Sequence, residues 1–177
     1  ELSSAVEGGI LGTSSGHGPL KELHESLIEL YTPKSGEVIT SVDIVDTENL
    51  IGRCVVAGNV RRSAALAMGR HDDTHYLEMK NDSEKLRHHR WGSNNSFNAV
   101  VGMDYTWHAE QSQKNGEPGY IWLNNARTRG RFKDGERLDD INVAGFNPCV
   151  EQQLEDAKLC CLVETFPAKH DDLEDYL

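Results

Sequence analysis

The sequence predicts an α/β fold with a largely parallel sheet, and two observations lead to that prediction. Short apolar or β-rich runs, at 61–69, 96–103 and 119–126, have the composition of buried strands. Segments with helical spacing lie between these runs, so strands and helices alternate along the chain. A chain of 177 residues is long enough for one domain with a substantial core.

The N-terminal part is predicted to begin with a loop and to continue with helices. Residues 1–18 are dominated by glycine and serine and are typical of a loop. Pro19 suits the first turn of a helix, and the leucines of 19–31 recur at helical spacing. Residues 38–59 are mixed: the first part fits either a strand or the start of a helix, and the second part fits a helix that stops at glycine.

The C-terminal part continues the alternation. Residues 72–80 are predicted to form a short helix, and 104–116 a helix that ends at its final glycine. A polar loop is expected over 127–145, a buried strand over 158–167, and the start of a last helix over 168–177.

Composition excludes several classes of protein. The net charge of −11 and the pI near 5.1 argue against a general surface for a nucleic acid polymer. No apolar run approaches the roughly 20 residues of a membrane span, and "ELSSAVEGG" lacks the features of a signal peptide. Four cysteines in such a chain favour metal or redox use over a disulfide scaffold, and a cytoplasmic location is expected.

Three of the four cysteines lie in one segment, 145–167. Structural zinc sites use Cys-x2-4-Cys pairs, whereas Cys149, Cys160 and Cys161 are separated by eleven positions and then by one. Adjacent cysteines on a strand also point to opposite faces. No metal site is therefore expected. A buried, inert cysteine remains an acceptable interpretation of Cys161.

Cys149 has the surroundings of a reacting sulfur. In an extended segment, Asn147, Cys149 and Glu151 project to the same side. An amide, a thiol and a carboxylate then face one space, which suits a reacting thiol beside a general base and a hydrogen-bonding group. We expect this thiol to lie in a shielded cavity.

Four long motifs, in order, resemble one enzyme family over nearly the whole chain. They are "CVVAGNVRRSA", "RWGSNNSFNAVVGMDYT", "NGEPGYIWLNNAR" and "GFNPCVEQQLEDAKLCCLVETFP". The sequence resembles the adenosylcobalamin-dependent (class II) ribonucleoside-triphosphate reductases. The resemblance implies part of a ten-stranded α/β barrel, with residues 1–177 as a single partial domain. Residues 145–161 would then be the central finger loop and its redox cysteine.

The resemblance also implies roles for the residues of the finger loop. Cys149 would become a thiyl radical and take the 3′ hydrogen of the ribose. Glu151 would act as the base on the 3′ hydroxyl, and Asn147 would hold the sugar. Cys160 would belong to a redox-active disulfide with a cysteine outside these residues, Cys161 being the alternative member. Cys54 is interpreted as a core residue.

Further sets of residues follow from the same resemblance. Residues 1–18 resemble a specificity loop between effector and substrate, with an ordinary flexible loop as the alternative; its candidate residues are Gly8, Gly9, Gly12, Thr13, Ser14 and Ser15. Candidates for support of the substrate pocket or the loop beside it, with surface charge as the alternative, are Arg61 and Arg62. Candidates for hydrogen bonds to the sugar or to the finger-loop backbone, with turn formation as the alternative, are Ser93, Asn94 and Asn95.

The implied activity is thiyl-radical reduction of ribonucleotides for deoxyribonucleotide synthesis and DNA replication. The implied cofactor is adenosylcobalamin, held mostly by surfaces outside this segment. The implied partners are a ribonucleoside triphosphate substrate, a deoxynucleoside triphosphate effector and a thioredoxin-type reductant, although a diphosphate substrate stays open. The chain starts at Glu1 and stops within a helical pattern, so it is expected to be an inactive piece of a larger enzyme. The alternatives are a reductase of another radical class and a non-catalytic effector-binding segment.

Overall fold

Helices and parallel strands alternate in this computed structural model, which describes residues 14–59, 61–129, 135, 138–161 and 163–176. The elements are α1 (Gly18–Tyr31), α2 (Ser41–Val56), β1 (Ala65–Arg70), α3 (Thr74–Glu78), α4 (Ser83–His88), β2 (Ser93–Asn98), α5 (Thr106–Asn115), β3 (Gly119–Ile121), α6 (Leu123–Arg129), β4 (Val143–Phe146), β5 (Gln153–Glu155) and α7 (Leu173–Tyr176). Within these residues, no helix is both long enough and apolar enough to cross a bilayer.

The strands form two separate sheets. The larger sheet has the order β1-β2-β3 and is parallel throughout, with Leu66 opposite Asn94 and Phe97 opposite Tyr120. The smaller sheet is the antiparallel hairpin of β4 and β5, whose register shifts near Gly145. The predicted α/β class with parallel strands is confirmed for β1 to β3, and the hairpin is an addition that the sequence did not indicate.

The helix predicted over 19–31 is confirmed as α1, and the mixed stretch 38–59 forms the single helix α2. A strand in the first part of that stretch is wrong, because Thr40 and Asp43 form a capping box that starts the helix. Burial by itself would raise the pKa of Asp43, but hydrogen bonds from Lys34 and from Thr40 outweigh burial and lower it.

The helices predicted over 72–80 and 104–116 are also confirmed, as α3 and α5. The Asp73 side chain starts α3 by accepting a hydrogen bond from the backbone N–H of Tyr76 at 3.1 Å. Gly116 ends α5 in the left-handed conformation, at a φ of 86°.

The three apolar runs at 61–69, 96–103 and 119–126 each overlap a strand, but the strands have different bounds. The last run needs the largest correction, because β3 has 3 residues and α6 follows almost at once. The backbone N–H of Leu123 donates to Asn98 Oδ1 at 3.3 Å, so a side chain of β2 helps to start α6.

The predictions for the C-terminal part are less accurate. The polar loop expected over 127–145 includes the end of α6 and most of β4, and the helix expected over 168–177 is confined to α7. The buried strand expected over 158–167 is wrong. Leu159 and Val163 are each 83% exposed, because no described strand lies beside them.

One face of the parallel sheet packs against helices. Ala67 of β1 and Phe97 of β2 contact Tyr76 of α3 in the main apolar cluster. The Tyr76 hydroxyl donates to the carbonyl oxygens of Ala67 at 2.7 Å and Ser96 at 2.8 Å, so the ring is fixed beneath both strands. Burial raises the pKa of Tyr76, which therefore stays a neutral hydrogen-bond donor.

A buried ion pair fixes α2 to the segment that enters β2. Asp46, only 3% exposed, accepts from Arg90 Nε at 2.6 Å and from Arg90 Nη2 at 2.7 Å. His89 Nε2 lies 2.9 Å from the same carboxylate. Burial by itself would raise the pKa of Asp46, but the hydrogen bonds from Arg90 and His89 lower it to about 2. The carboxylate therefore stays charged inside the protein and holds the start of β2 in place.

The close contact between β1 and the Tyr76 ring leads to a first prediction. A Cβ at Gly69 would lie 2.2 Å from Tyr76 Cδ1, and that ring is held by two hydrogen bonds. We expect Gly69→Ala to lower the free energy of unfolding by about 1–3 kcal/mol, as overpacking does. The measurement is denaturant unfolding of the purified protein.

The matched control is Gly145→Ala on β4, where a Cβ would lie 3.8 Å from Met68 Sδ, an ordinary contact distance. This variant should be neutral or slightly more stable, because alanine has less freedom than glycine in the unfolded chain. Equal stability of the two variants would show that Tyr76 can move away from the strand.

Candidate active site

The segment with the amide, thiol and carboxylate forms a tight turn between β4 and β5. Asn147 N donates to Gln152 O at 3.2 Å, and Val150 N donates to Asn147 O at 3.0 Å. Val150 has a φ of 67°, so the chain reverses direction immediately after Cys149. The predicted extended segment is therefore wrong: the pairing of β4 with β5 requires the chain to turn back.

Asn147 is 5% exposed, and its side-chain amide bonds to other residues of this turn. Its Nδ2 donates to Glu151 Oε1 at 2.5 Å and lies 3.5 Å from the sulfur of Cys160. Its Oδ1 accepts from the backbone N–H of Gln152 at 3.0 Å. The turn therefore brings Asn147 and Glu151 together, as expected, but by a different geometry, and it adds Cys160 to the group.

The thiol of Cys149 is on an exposed residue, and so are those of Cys160 and Cys161. All three cysteines are free. The expectation of a shielded cavity around Cys149 is wrong for the part of the chain that the structure describes. The physical reason is that a two-stranded hairpin has no second wall to enclose its tip.

Hydrogen bonds between described residues attach the hairpin to the rest of the domain at its tip and at its base. At the tip, Asn94 Nδ2 of β2 donates to the carbonyl oxygen of Pro148 at 2.8 Å. At the base, Arg127 Nε of α6 donates to the carbonyl oxygen of Val143 at 2.7 Å. Asn94 is one of the candidates from the sequence, and it contacts the backbone of the turn. Arg127 was missed because its partner is a backbone carbonyl 16 residues away, which leaves no sequence signal.

Ser93 and Asn95 lie on the opposite face of β2 from Asn94, since side chains alternate along a strand. Asn49 Nδ2 of α2 donates to Ser93 Oγ at 3.1 Å, and Ser93 Oγ donates to Asn95 Oδ1 at 2.8 Å. Both residues therefore have partners inside the domain, away from the turn. Their assignment to a substrate pocket stays a prediction without a contact that supports it.

The remaining candidates lie away from this network or outside the described residues. Arg61 and Arg62 are exposed, and Arg62 Nη1 donates to Asn59 Oδ1 at 2.9 Å within the same short segment. Ser14 and Ser15 are exposed and precede α1. The other candidates of the predicted specificity loop lie outside the described residues: Gly8, Gly9, Gly12 and Thr13.

A search of the described ranges finds no group of three or more His, Cys, Asp or Glu side chains that could hold a metal ion. Two buried histidines have partners inside the fold. His89 contacts Asp46, and His108 Nε2 lies 2.8 Å from the carbonyl oxygen of His71. These two histidines are therefore held inside the fold, although Nδ1 of His108 is buried without a hydrogen-bond partner among the described residues.

The arrangement supplies three chemical groups within one turn. An exposed thiol at Cys149 stands two residues from the carboxylate of Glu151, and that carboxylate accepts from the Asn147 amide. The same amide approaches the second thiol, Cys160. A carboxylate is suited to remove a proton, and a pair of thiols is suited to supply two electrons by forming a disulfide.

Comparisons with known proteins agree on one group of enzymes. The chain is 48% identical over 169 residues to the adenosylcobalamin-dependent ribonucleoside-triphosphate reductase of Euglena gracilis, a match that covers 93% of this chain and 23% of the relative. It is 46% identical over 173 residues to a probable adenosylcobalamin-dependent ribonucleoside-triphosphate reductase of Dictyostelium discoideum, covering 96% of this chain and 23% of the relative. It is 44% identical over 165 residues to the Lactobacillus leichmannii reductase, covering 90% and 22%.

A solved structure gives the same result. The crystal structure of a B12-dependent (class II) ribonucleotide reductase superposes with a TM-score of 0.75 at 41% sequence identity, over 86% of this chain and 21% of that one. No family model matches the chain. The chain therefore spans less than a quarter of the length of the curated relatives that it matches.

The left-handed conformation of Val150 leads to a second prediction. A left-handed backbone costs an L-residue about 1–2 kcal/mol, and the β-branched side chain of Val150 increases this cost. We expect Val150→Gly to leave the free energy of unfolding unchanged or to raise it by up to ~1 kcal/mol, because the released strain offsets the added freedom of the unfolded chain. Denaturant titration measures this difference.

The control is Val163→Gly, which removes an exposed valine that has no positive φ. This variant should lose roughly 0.5–1 kcal/mol through chain entropy alone. An equal loss in both variants would mean that the turn at Val150 stores no strain.

Proposed function

We propose that this chain, which is homologous over most of its length to one segment of the adenosylcobalamin-dependent ribonucleoside-triphosphate reductases, supplies the reacting thiol of such an enzyme. The observation that carries the proposal is the turn centred on Asn147. It gathers the Glu151 carboxylate and the Cys160 sulfur around one amide, next to the tip that bears Cys149. The similarity to the named relatives supports the same activity.

In the proposed reaction, Cys149 acts as a thiyl radical and takes the hydrogen from the 3′ carbon of the ribose. Glu151 takes the proton of the 3′ hydroxyl, and Asn147 holds the carboxylate, and through it the sugar, in position. The 2′ hydroxyl then leaves as water after it gains a proton. The balance is one ribonucleotide and two thiols giving one deoxyribonucleotide, one disulfide and one water.

Cys160 is proposed as one of the two thiols that are oxidised. Its sulfur lies 3.5 Å from Asn147 Nδ2, whereas no such contact links the amide to Cys161 in the described residues. The second thiol would come from a part of the protein outside this chain. A thioredoxin-type reductant would then reduce the disulfide for the next turnover.

Adenosylcobalamin, when bound, would supply the radical that takes the hydrogen atom from the Cys149 thiol. A corrinoid is larger than the ligands that fill cavities of roughly 300–1,000 Å³. The three thiols around the turn are exposed rather than enclosed, so the described residues do not by themselves form a corrinoid site. The proposal therefore assigns the cofactor surface to the rest of the protein and derives no step through it.

The proposed architecture is part of a ten-stranded α/β barrel with the hairpin at its centre. The parallel sheet supports this arrangement, because helices cover one of its faces and Asn94 of β2 contacts the hairpin tip. Walls supplied by other segments would enclose Cys149 and protect a radical from solvent. A ribonucleoside triphosphate as substrate, a deoxynucleoside triphosphate as effector that acts through the loop of residues 1–18, and a cytoplasmic location complete the proposal.

The test of the proposed function uses the full-length protein with adenosylcobalamin, a dithiol reductant and no second subunit. We expect Cys149→Ser to lower ribonucleotide reduction by at least about 1,000-fold, because a serine oxygen cannot replace the reacting sulfur. Formation of deoxyribonucleotide, followed by chromatography, is the measurement.

Cys54→Ser is the matched control, since Cys54 lies on α2 and lines a pocket with residues of α1 and α2, none of which belongs to the turn. It should keep its activity. Retained activity in Cys149→Ser would contradict the proposal. Wild-type activity that requires an iron-bearing partner would replace it with another radical class.

A further inference from the structure

We infer that Asn94 is a positioning residue for the Cys149 thiol, acting on the turn and not on the substrate. Its Nδ2 donates to the carbonyl oxygen of Pro148 at 2.8 Å. That carbonyl belongs to the peptide group between Pro148 and Cys149. The hydrogen bond therefore fixes the orientation of the peptide plane from which the thiol extends. The inference rests on the proposed role of Cys149.

The internal hydrogen bonds of the turn set its shape but not its place above the sheet. The bonds from Val150 N to Asn147 O and from Asn147 N to Gln152 O both close within the turn. The Asn147 side chain likewise bonds to Glu151 and to the backbone of Gln152. A turn held only by such bonds can rock as a rigid unit about the base of the hairpin.

The bond from Asn94 spans 54 residues of sequence and joins the tip to the central strand of the parallel sheet. Arg127 holds the hairpin at its other end, through the carbonyl oxygen of Val143. Among the described residues, the bond at the tip opposes the rocking motion that the attachment at the base alone would allow. Asn94 thus sets the height and direction of Cys149 relative to the sheet.

Asn94 can do this because its own position is fixed. Its neighbours Ser93 and Asn95 are each 3% exposed on the opposite face of β2. Three hydrogen bonds hold Ser93. The Ser93 hydroxyl accepts from Asn49 and donates to Asn95. The Ser93 carbonyl oxygen accepts from Lys80. Because β2 is fixed in this way, the Asn94 side chain has little freedom to move with the turn. The position of the turn is therefore set by Asn94.

The experiment compares Asn94→Ala, Asn94→Asp and Asn94→Gln in the full-length protein with adenosylcobalamin and a dithiol. Alanine removes the donor, and aspartate replaces it with an acceptor that faces the Pro148 carbonyl. We expect both to lower kcat by roughly 10–100-fold with KM unchanged, the cost of a reacting group displaced by about 1 Å. Glutamine keeps the amide on a longer stem and should recover part of kcat.

The matched control is Asn98→Ala, on the same strand and also exposed, where the lost hydrogen bond goes to the start of α6. This variant should keep kcat. A raised KM with normal kcat in Asn94→Ala would make Asn94 a substrate contact and overturn the inference. An equal fall of kcat in Asn98→Ala would show a general effect on β2 and would also overturn it.

A second readout does not depend on activity. Hydrogen–deuterium exchange of the peptide that spans 147–152 should be faster in Asn94→Ala than in wild type and unchanged in Asn98→Ala. If the wild-type protein reduces no ribonucleotide, the proposed function fails, and this exchange still tests the attachment. Unchanged exchange in Asn94→Ala would show that the bond to Pro148 does not hold the turn.

Discussion

The rest of the structure depends on strand β2, whose two faces contact different parts of the protein. On one face, Phe97 and its buried neighbours pack against the helices, and the Tyr76 hydroxyl bonds to the strand's own backbone. On the other face, Asn94 reaches the tip of the hairpin. The ion pair of Asp46 with Arg90 fixes the entry of this strand, so the helical layer determines where the hairpin tip can lie.

The proposed chemistry follows from that placement. Within the turn, one buried amide aligns a carboxylate and a sulfur, and the reversal at Val150 presents Cys149 at the tip. The tip is open in the described residues, while the proposed radical requires exclusion of solvent. In the proposed function, this segment would position the reacting groups, and the remaining three-quarters of the length seen in its relatives would enclose them.

Local signals predicted a large part of the fold. Pro19 and Gly116 marked the start of α1 and the end of α5, because both act through their own backbone geometry. The hairpin was not predicted, because its strands are short and its turn depends on the pairing of β4 with β5 and not on composition. The exposed stretch around Leu159 and Val163 was mistaken for a buried strand, since an apolar run does not show whether a partner surface lies within the same segment.

The site, like the fold, was predicted only in part from the sequence. The motif correctly placed Asn147 beside Glu151. The predicted geometry was wrong, because strand periodicity implies an extended segment and the chain forms a turn. Contacts such as Asn94 to Pro148 join residues far apart in sequence, so the local sequence does not indicate them.

The most direct test of the proposed site is a crystal structure of the full-length protein with a bound ribonucleotide. The account predicts an enclosed Cys149 sulfur within about 3.5 Å of the 3′ carbon of the sugar. A sulfur on open surface, or one turned away from the sugar, would contradict it.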